Sequence, residues 1–212
     1  MRKLFSVMAG VLLASVAFGA ADAAQGPGEL VQGVAEAMLK DLDANRAEYK
    51  KDPSKINALV EKHLVPNFDT EYAARLVLGK HWRDANEAQR KRFVDAFYKS
   101  LLNNYGTALA DFTGDKLKVY PTKISADSKS ATVRTEVKRS NGQRIPVNYT
   151  MRKTDSGWKA WDVVIEGISY VKSFREDFGA EIDQKGLDAV IERMEKGGKP
   201  VVAADSGKKK TS

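Results

Sequence analysis

The hydrophobic period of the chain changes twice. Up to Tyr105 apolar residues recur every three or four positions, from Leu117 to Ile165 they alternate, and from Ser169 the helical period returns. Leu30, Val34, Met38 and Leu42 mark a first helix after Pro27. Asp52-Pro53 is expected to open a short second helix carrying Ile56, Leu59, Val60 and Leu64, which Val65-Pro66 ends. Asp69 reads as the N-cap of a third, with Tyr72, Ala73, Leu76 and Val77, stopped by Gly79. Asn86 with Gln89 forms a capping box for a long fourth helix, whose stripe is Phe93, Phe97, Leu101 and Tyr105.

The alternating half predicts four antiparallel strands. Leu117 and Val119 belong to the first, and Ala131, Val133, Thr135 and Val137 to the second. Asn141-Gly142 predicts a two-residue hairpin turn. Ile145, Val147, Tyr149 and Met151 follow on the returning strand, where Pro146 should force a bulge or an unpaired position. Asp155-Ser156-Gly157 turns into the last strand. It stops alternating at its end, with Trp161, Val163, Val164 and Ile165 apolar on both faces, so both must be covered. Two helices close the chain, one with Val171, Phe174 and Phe178 and one with Leu187, Val190, Ile191 and Met194. Helices followed by strands indicate an α+β fold, with helices packed on a four-stranded antiparallel sheet.

The ends bear on compartment. Met1-Arg2-Lys3, an apolar run to Ala20 and the small residues of Ala21-Asp22-Ala23 read as a signal peptide over residues 1–23. No later run approaches the roughly 20 apolar residues of a membrane span. One exported domain over 24–199 and a disordered basic tail over 200–212 are therefore expected. The chain has no cysteine, which excludes thiolate chemistry and lipid attachment at an N-terminal Cys. The net charge is +7, much of it from Lys208, Lys209 and Lys210. No stripe of Arg interleaved with aromatics accompanies it, so no nucleic-acid partner is expected.

Catalytic constellations are weak. His63 and His81 sit on short helical and turn segments and do not make a metal site. Asp162 and Glu166 could form a carboxylate pair on one strand face, although Glu166 before Gly167 reads better as holding a strand–helix corner. Ser169 lacks a Gly-x-Ser-x-Gly elbow. No enzyme activity, catalytic residue, cofactor or metal is expected. Small-molecule catalysis on the same fold and a ligand-free interaction module with a solid core are the rival readings.

Several words, in order, resemble one family. They are Pro66-Asn67-Phe68-Asp69, Tyr72-Ala73-Ala74-Arg75, Val77-Leu78-Gly79 with Trp82, and Ile145-Pro146-Val147-Asn148-Tyr149. Gly157-Trp158-Lys159 and Asp162-Val163-Val164-Ile165-Glu166-Gly167-Ile168-Ser169 follow, then Arg175 and Phe178. Together they resemble the MlaC, or toluene-tolerance, family of periplasmic phospholipid-binding proteins. The sequence departs from that pattern at Trp161, where Tyr is commoner, and at Asn103-Asn104.

The resemblance implies a nuclear-transport-factor-like cone with extra helices and an apolar pocket that holds the acyl chains of a glycerophospholipid as cargo. It implies a monomeric periplasmic shuttle between an outer-membrane lipoprotein–porin complex and an inner-membrane ABC transporter with a lipid-binding ring, maintaining outer-membrane lipid asymmetry. Stripes at helical spacing are ordinarily core; the resemblance makes them candidate lining. The helix wall would be Phe68, Tyr72, Leu76, Phe97, Leu101, Tyr105, Val171 and Phe174. The sheet wall would be Val133, Val147, Tyr149, Val163 and either Ile165 or Val164, as register decides. Arg75, Lys80 and Arg83 are candidates for attracting the head group.

Overall fold

In the computed structural model, residues 25–52, 54–105, 116–125, 127–138 and 141–198 are described. The expected leader, the whole of the expected tail, Pro53 and the side chain of Tyr105 lie outside them. Helix α1 (Pro27–Lys51) starts with Pro at its first position and bends at Asn45, which leaves helical geometry at φ −119°. Asp52 accepts hydrogen bonds from the Ser54 amide and hydroxyl just before α2 (Lys55–His63), and a 3-10 turn (Val65–Asn67) carries the Val-Pro break. Helix α3 (Thr70–Leu78) is capped by Asp69, whose carboxylate accepts from the Tyr72 amide at 3.1 Å.

Gly79 ends α3 at φ +53°, and a Cβ there would lie 2.8 Å from Arg175 Nε, so glycine serves both the turn and the close approach. A short α4 (His81–Asp84), which the periodicity did not signal, leads to α5 (Glu87–Tyr105). The capping box forms as expected, with Asn86 N to Gln89 Oε1 at 3.0 Å and Gln89 N to Asn86 Oδ1 at 2.9 Å.

Among the described residues the sheet has five strands, one more than expected, in sequence order throughout: β1 (Lys116–Val119), β2 (Ser130–Lys138), β3 (Arg144–Thr154), β4 (Gly157–Ile165) and β5 (Ile168–Ser169). β5 arises because Glu166 and Gly167 both take positive φ and turn the chain straight back, pairing Ile165 with Ile168. The corner is thus a hairpin, and Ser169 then caps α6 (Tyr170–Lys185), accepting from the Lys172 amide; α7 (Leu187–Glu195) follows.

One turn expectation is corrected. The β2–β3 connection spans residues 139–143, with Lys138 opposite Arg144, and is not a two-residue turn at Asn141-Gly142. A two-residue turn there would shift the register by one and set Val137 against Pro146. The longer loop sets Val137 against Ile145 and Val133 against Tyr149, which keeps the apolar rows on one face. At Pro146 the unpaired position is found and the bulge is not: the residue lies in regular register opposite Glu136 and has no ladder partner on β4. Its carbonyl accepts from the Glu166 amide where β4 turns away, so its missing N–H interrupts no ladder. The irregularity lies farther along β3, between Thr150 and Met151, where β4 inserts Trp161 as the extra residue.

The buried apolar residues fall into separate groups. One joins α3, α5, α6 and α7 and includes Val77, Phe93, Phe97, Phe174, Phe178 and Ile191. A second joins α1 to the inner face of the sheet through Val31, Val133, Met151, Trp158 and Ala160. Smaller groups hold α2 to α1 and α5.

Candidate functional site

Register settles which side chains share the inner face. Val147 opposes Ile165 and Tyr149 opposes Val163, so these four line one face with Val133 and Thr135 of β2. Val164 opposes Asn148 and lies on the other face; Ile165, not Val164, shares the face of Val163. Thr135 is a polar member of the row, and its hydroxyl donates to the Val147 carbonyl, which satisfies it within the sheet.

The expected lining residues divide into two populations. Phe97, Phe174 and Val133 are fully buried, at 5%, 2% and 0% exposure. Phe97 stacks edge-on against Phe174 at 5.2 Å and Phe178 at 5.8 Å, so Phe97 and Phe174, both expected in the wall, belong to solid helical core. Phe68, Tyr72, Leu76, Leu101, Val147, Tyr149, Val163, Ile165 and Val171 are instead only half-buried. Among them, Tyr72, Leu76, Val147, Val163 and Ile165 join none of the buried groups formed by the described residues. Tyr149 lies deep among protein atoms, and this burial raises its phenol pKa, yet the side chain keeps accessible surface. A side chain surrounded by protein that still shows surface borders unfilled space. Two clefts, of about 870 Å³ beside the β1–β2 loop and about 240 Å³ beside α1 and α2, lie elsewhere and include none of the expected lining.

Helix α3 is braced against the sheet through Arg152, which periodicity did not single out. Arg152 donates to Asp69 Oδ2 at 2.6 Å and lies 4.3 Å over the Tyr72 ring, while Tyr72 meets Trp161 edge-on at 5.7 Å. The Asp69 amide donates to the Ala160 carbonyl at 2.7 Å. One carboxylate thereby caps α3 and ties it to the sheet, and the bulge aims Trp161 at Tyr72. These partners are far apart in sequence; Asp69 was marked as a cap and Tyr72 and Trp161 as pattern positions, but nothing in the sequence joined them to Arg152.

The residues weighed for catalysis have structural partners. Asp162, 3% exposed, accepts from the Ser169 hydroxyl at 2.6 Å and from the Val171 amide at 3.0 Å, anchoring the start of α6. Glu166 is exposed in the turn, so the two carboxylates do not pair. His63 Nε2 lies 3.0 Å from Asp41, which also accepts from Tyr49 and Lys62; these hydrogen bonds, Lys62's foremost, hold the Asp41 carboxyl well below its usual range. His81 lies 3.4 Å from Asp183. Of the expected head-group cations, Lys80 is paired with Asp183 at 2.8 Å, while Arg75 and Arg83 are exposed.

The chain is 34% identical over 167 residues to the toluene tolerance protein ttg2D of Pseudomonas putida, covering 78% of this chain and 77% of that protein. It is 26% identical over 198 residues to the intermembrane phospholipid transport system binding protein MlaC of Haemophilus influenzae, covering 92% of each. Its fold matches a phospholipid-binding protein from Ralstonia solanacearum, solved in complex with a phospholipid, with a TM-score of 0.74 at 22% identity over 79% of this chain and 94% of that one. The MlaC protein family matches over residues 32–196, and the chain belongs to that family.

Proposed function

We propose that this protein is a periplasmic carrier of glycerophospholipid, holding the acyl chains between the inner face of its sheet and the α3–α5–α6 side of the molecule. The observation that carries the reading is the row Val147, Val163 and Ile165, which shares one face of the sheet and stays half-buried without joining either core. The relatives named for phospholipid binding and transport support the choice of ligand.

The chemistry required is burial. Each methylene taken out of water is worth about 0.8 kcal/mol, so exposing two ordinary acyl chains costs roughly 20 kcal/mol or more. A predominantly aliphatic and aromatic lining meets that need, and no bond is made or broken. The phosphate stays at the surface, because burying an unpaired charge is prohibitive. Arg75 and Arg83, both exposed, would attract it without enclosing it, and recognition mainly of the chains accepts several head groups. Release into water is too costly to be spontaneous, so hand-over requires docking, at an inner-membrane ABC transporter with its lipid-binding ring and at an outer-membrane lipoprotein–porin complex.

The test is transfer from vesicles. Protein stripped by solvent is incubated with vesicles of mixed phosphatidylethanolamine and phosphatidylglycerol, separated by gel filtration and extracted. Whole phospholipid of both classes travelling with the protein is the expected result. Protein that stays folded and takes up no lipid, or strong retention of one head-group class alone, contradicts the reading or its chain-recognition clause respectively.

A further inference from the structure

Strand β2 is only half covered on its outer edge. β3 pairs with all of it, from Ser130 to Lys138, whereas β1 pairs only Lys116–Val119 with the stretch from Lys138 back to Thr135. Backbone groups along a strand face its two neighbours alternately. The Lys129 carbonyl accepts from Lys153 on the β3 side, and the Arg134 carbonyl accepts from the Tyr120 amide on the β1 side, so the even-numbered residues face β1. Beyond that last bond, the amides and carbonyls of Ser130 and Thr132 face outward with no backbone partner among the described residues. The chain after Tyr120 does not cover them. It stands off and walls the cleft of about 870 Å³ that runs along this edge.

The cleft's chemistry is one-sided. Its lining is rich in hydroxyls, carries Lys123 and Arg134, and contains no carboxylate. Lys118 and Lys129 are exposed nearby, and Glu136, the carboxylate closest along β2, is paired with Arg144 at 2.7 Å. Asp127 sits in the wall loop, outside the lining, held by the Ser125 hydroxyl. Ile124, 40% exposed, is an apolar contact in the same wall.

We infer that the open edge of β2 is a docking site for an extended acidic segment of a partner protein, which adds as a strand beside Ser130 and Thr132 and sets its carboxylates against Lys123 and Arg134. Main-chain hydrogen bonds supply affinity in this mode and flanking side chains supply selectivity. Charge decides the occupant. A second copy would bring the same cations and a net charge of +7 to the same edge, so like charges oppose self-pairing. The site lies apart from the acyl-chain wall, shares none of its residues and does not rest on the identity of the cargo.

The test is an amide NMR titration of the purified protein with a peptide of alternating Glu and Val, and with its Lys–Val counterpart. The inference expects shifts and slowed amide exchange at Ser130, Thr132 and Arg134, at least tenfold weaker binding of the basic peptide, and weakening with salt. Thr132→Pro removes an edge amide that the fold does not use and should abolish binding, while lipid content, read on the same sample, stays unchanged. Lys123→Glu with Arg134→Glu should exchange the preference toward the basic peptide. Equal binding of the two peptides, shifts confined to other surfaces, or a Thr132→Pro variant that binds like the parent would overturn the proposal. So would concentration-dependent self-association that Thr132→Pro removes, since that assigns the edge to a second copy.

Discussion

The helical layer and the inner face of the sheet are built from the same kinds of residue and packed differently. Phe93, Phe97, Phe174 and Phe178 interlock with ring centroids between 5.2 and 6.1 Å and are at most 5% exposed. Val147, Val163 and Ile165 are equally apolar and equally regular in register, but they are half-buried and belong to no core group. Apolarity in a sequence says that a side chain must leave water. It does not say whether protein or cargo will cover it.

The largest expected effect lies in the filled region. Phe93→Ala should destabilise the protein by about 3–5 kcal/mol, because close-packed neighbours cannot collapse onto the void. At ~2–4 °C per kcal/mol for a domain of this size, thermal unfolding should fall by roughly 6–20 °C, with or without lipid. Val163→Ala, made as its counterpart, should cost well under that and should matter mainly in the loaded protein. Equal losses for the two would erase the contrast between the regions.

Next is the start of α6. Asp162→Ala leaves the Val171 amide and Ser169 hydroxyl without their acceptor, a loss of about 1–3 kcal/mol. The variant should unfold at lower denaturant with an unchanged slope. An unaltered midpoint would mean that Asp162 does not hold α6 to the sheet.

Val163→Glu should change function more than stability. A carboxylate on the half-buried wall can reach solvent or take up a proton, but it cannot be covered by acyl chain. The expected variant is folded by circular dichroism and free of phospholipid on extraction. A folded variant with a full complement of lipid would take Val163 out of the wall.

The smallest effect is a pH dependence between α1 and α2. Asp41 is held below its ordinary pKa by Lys62, His63, Tyr49 and Asn45, so its contribution is complete above the unfolded carboxylate value near 4 and is lost as pH falls below it. The stability difference between the parent and Asp41→Asn should therefore be constant at neutral pH and shrink in acid. A difference that grows as pH falls would reverse the sign of this coupling.

Much of the architecture was legible because local signals and burial agreed. The Asn86–Gln89 capping box, the Asp69 cap, the Gly79 stop and the alternation of β2 and β3 all appear where their side chains predict. The strongest turn signal misled: Asn141-Gly142 alone favours a two-residue hairpin, but that register would have turned Val133 and Val137 away from Val147 and Tyr149. Tertiary burial outweighed local preference. Residues of the candidate wall were legible by type, and their partition was not. Phe97 and Leu101 share one helical stripe, yet Phe97 is locked among aromatic rings and Leu101 is half-buried. The braces Arg152 and Asp162 were hidden because each acts across a chain reversal that only the folded structure brings together.

The most direct measurement is native mass spectrometry of the protein purified from a bacterial periplasm, with solvent extraction of the same sample. The account predicts adducts with the masses of whole phospholipids, surviving gel filtration, and a lower unfolding temperature once they are removed. A clean unliganded mass, with unchanged stability after extraction, would mean that protein alone fills the space beside Val147, Val163 and Ile165, and would contradict it.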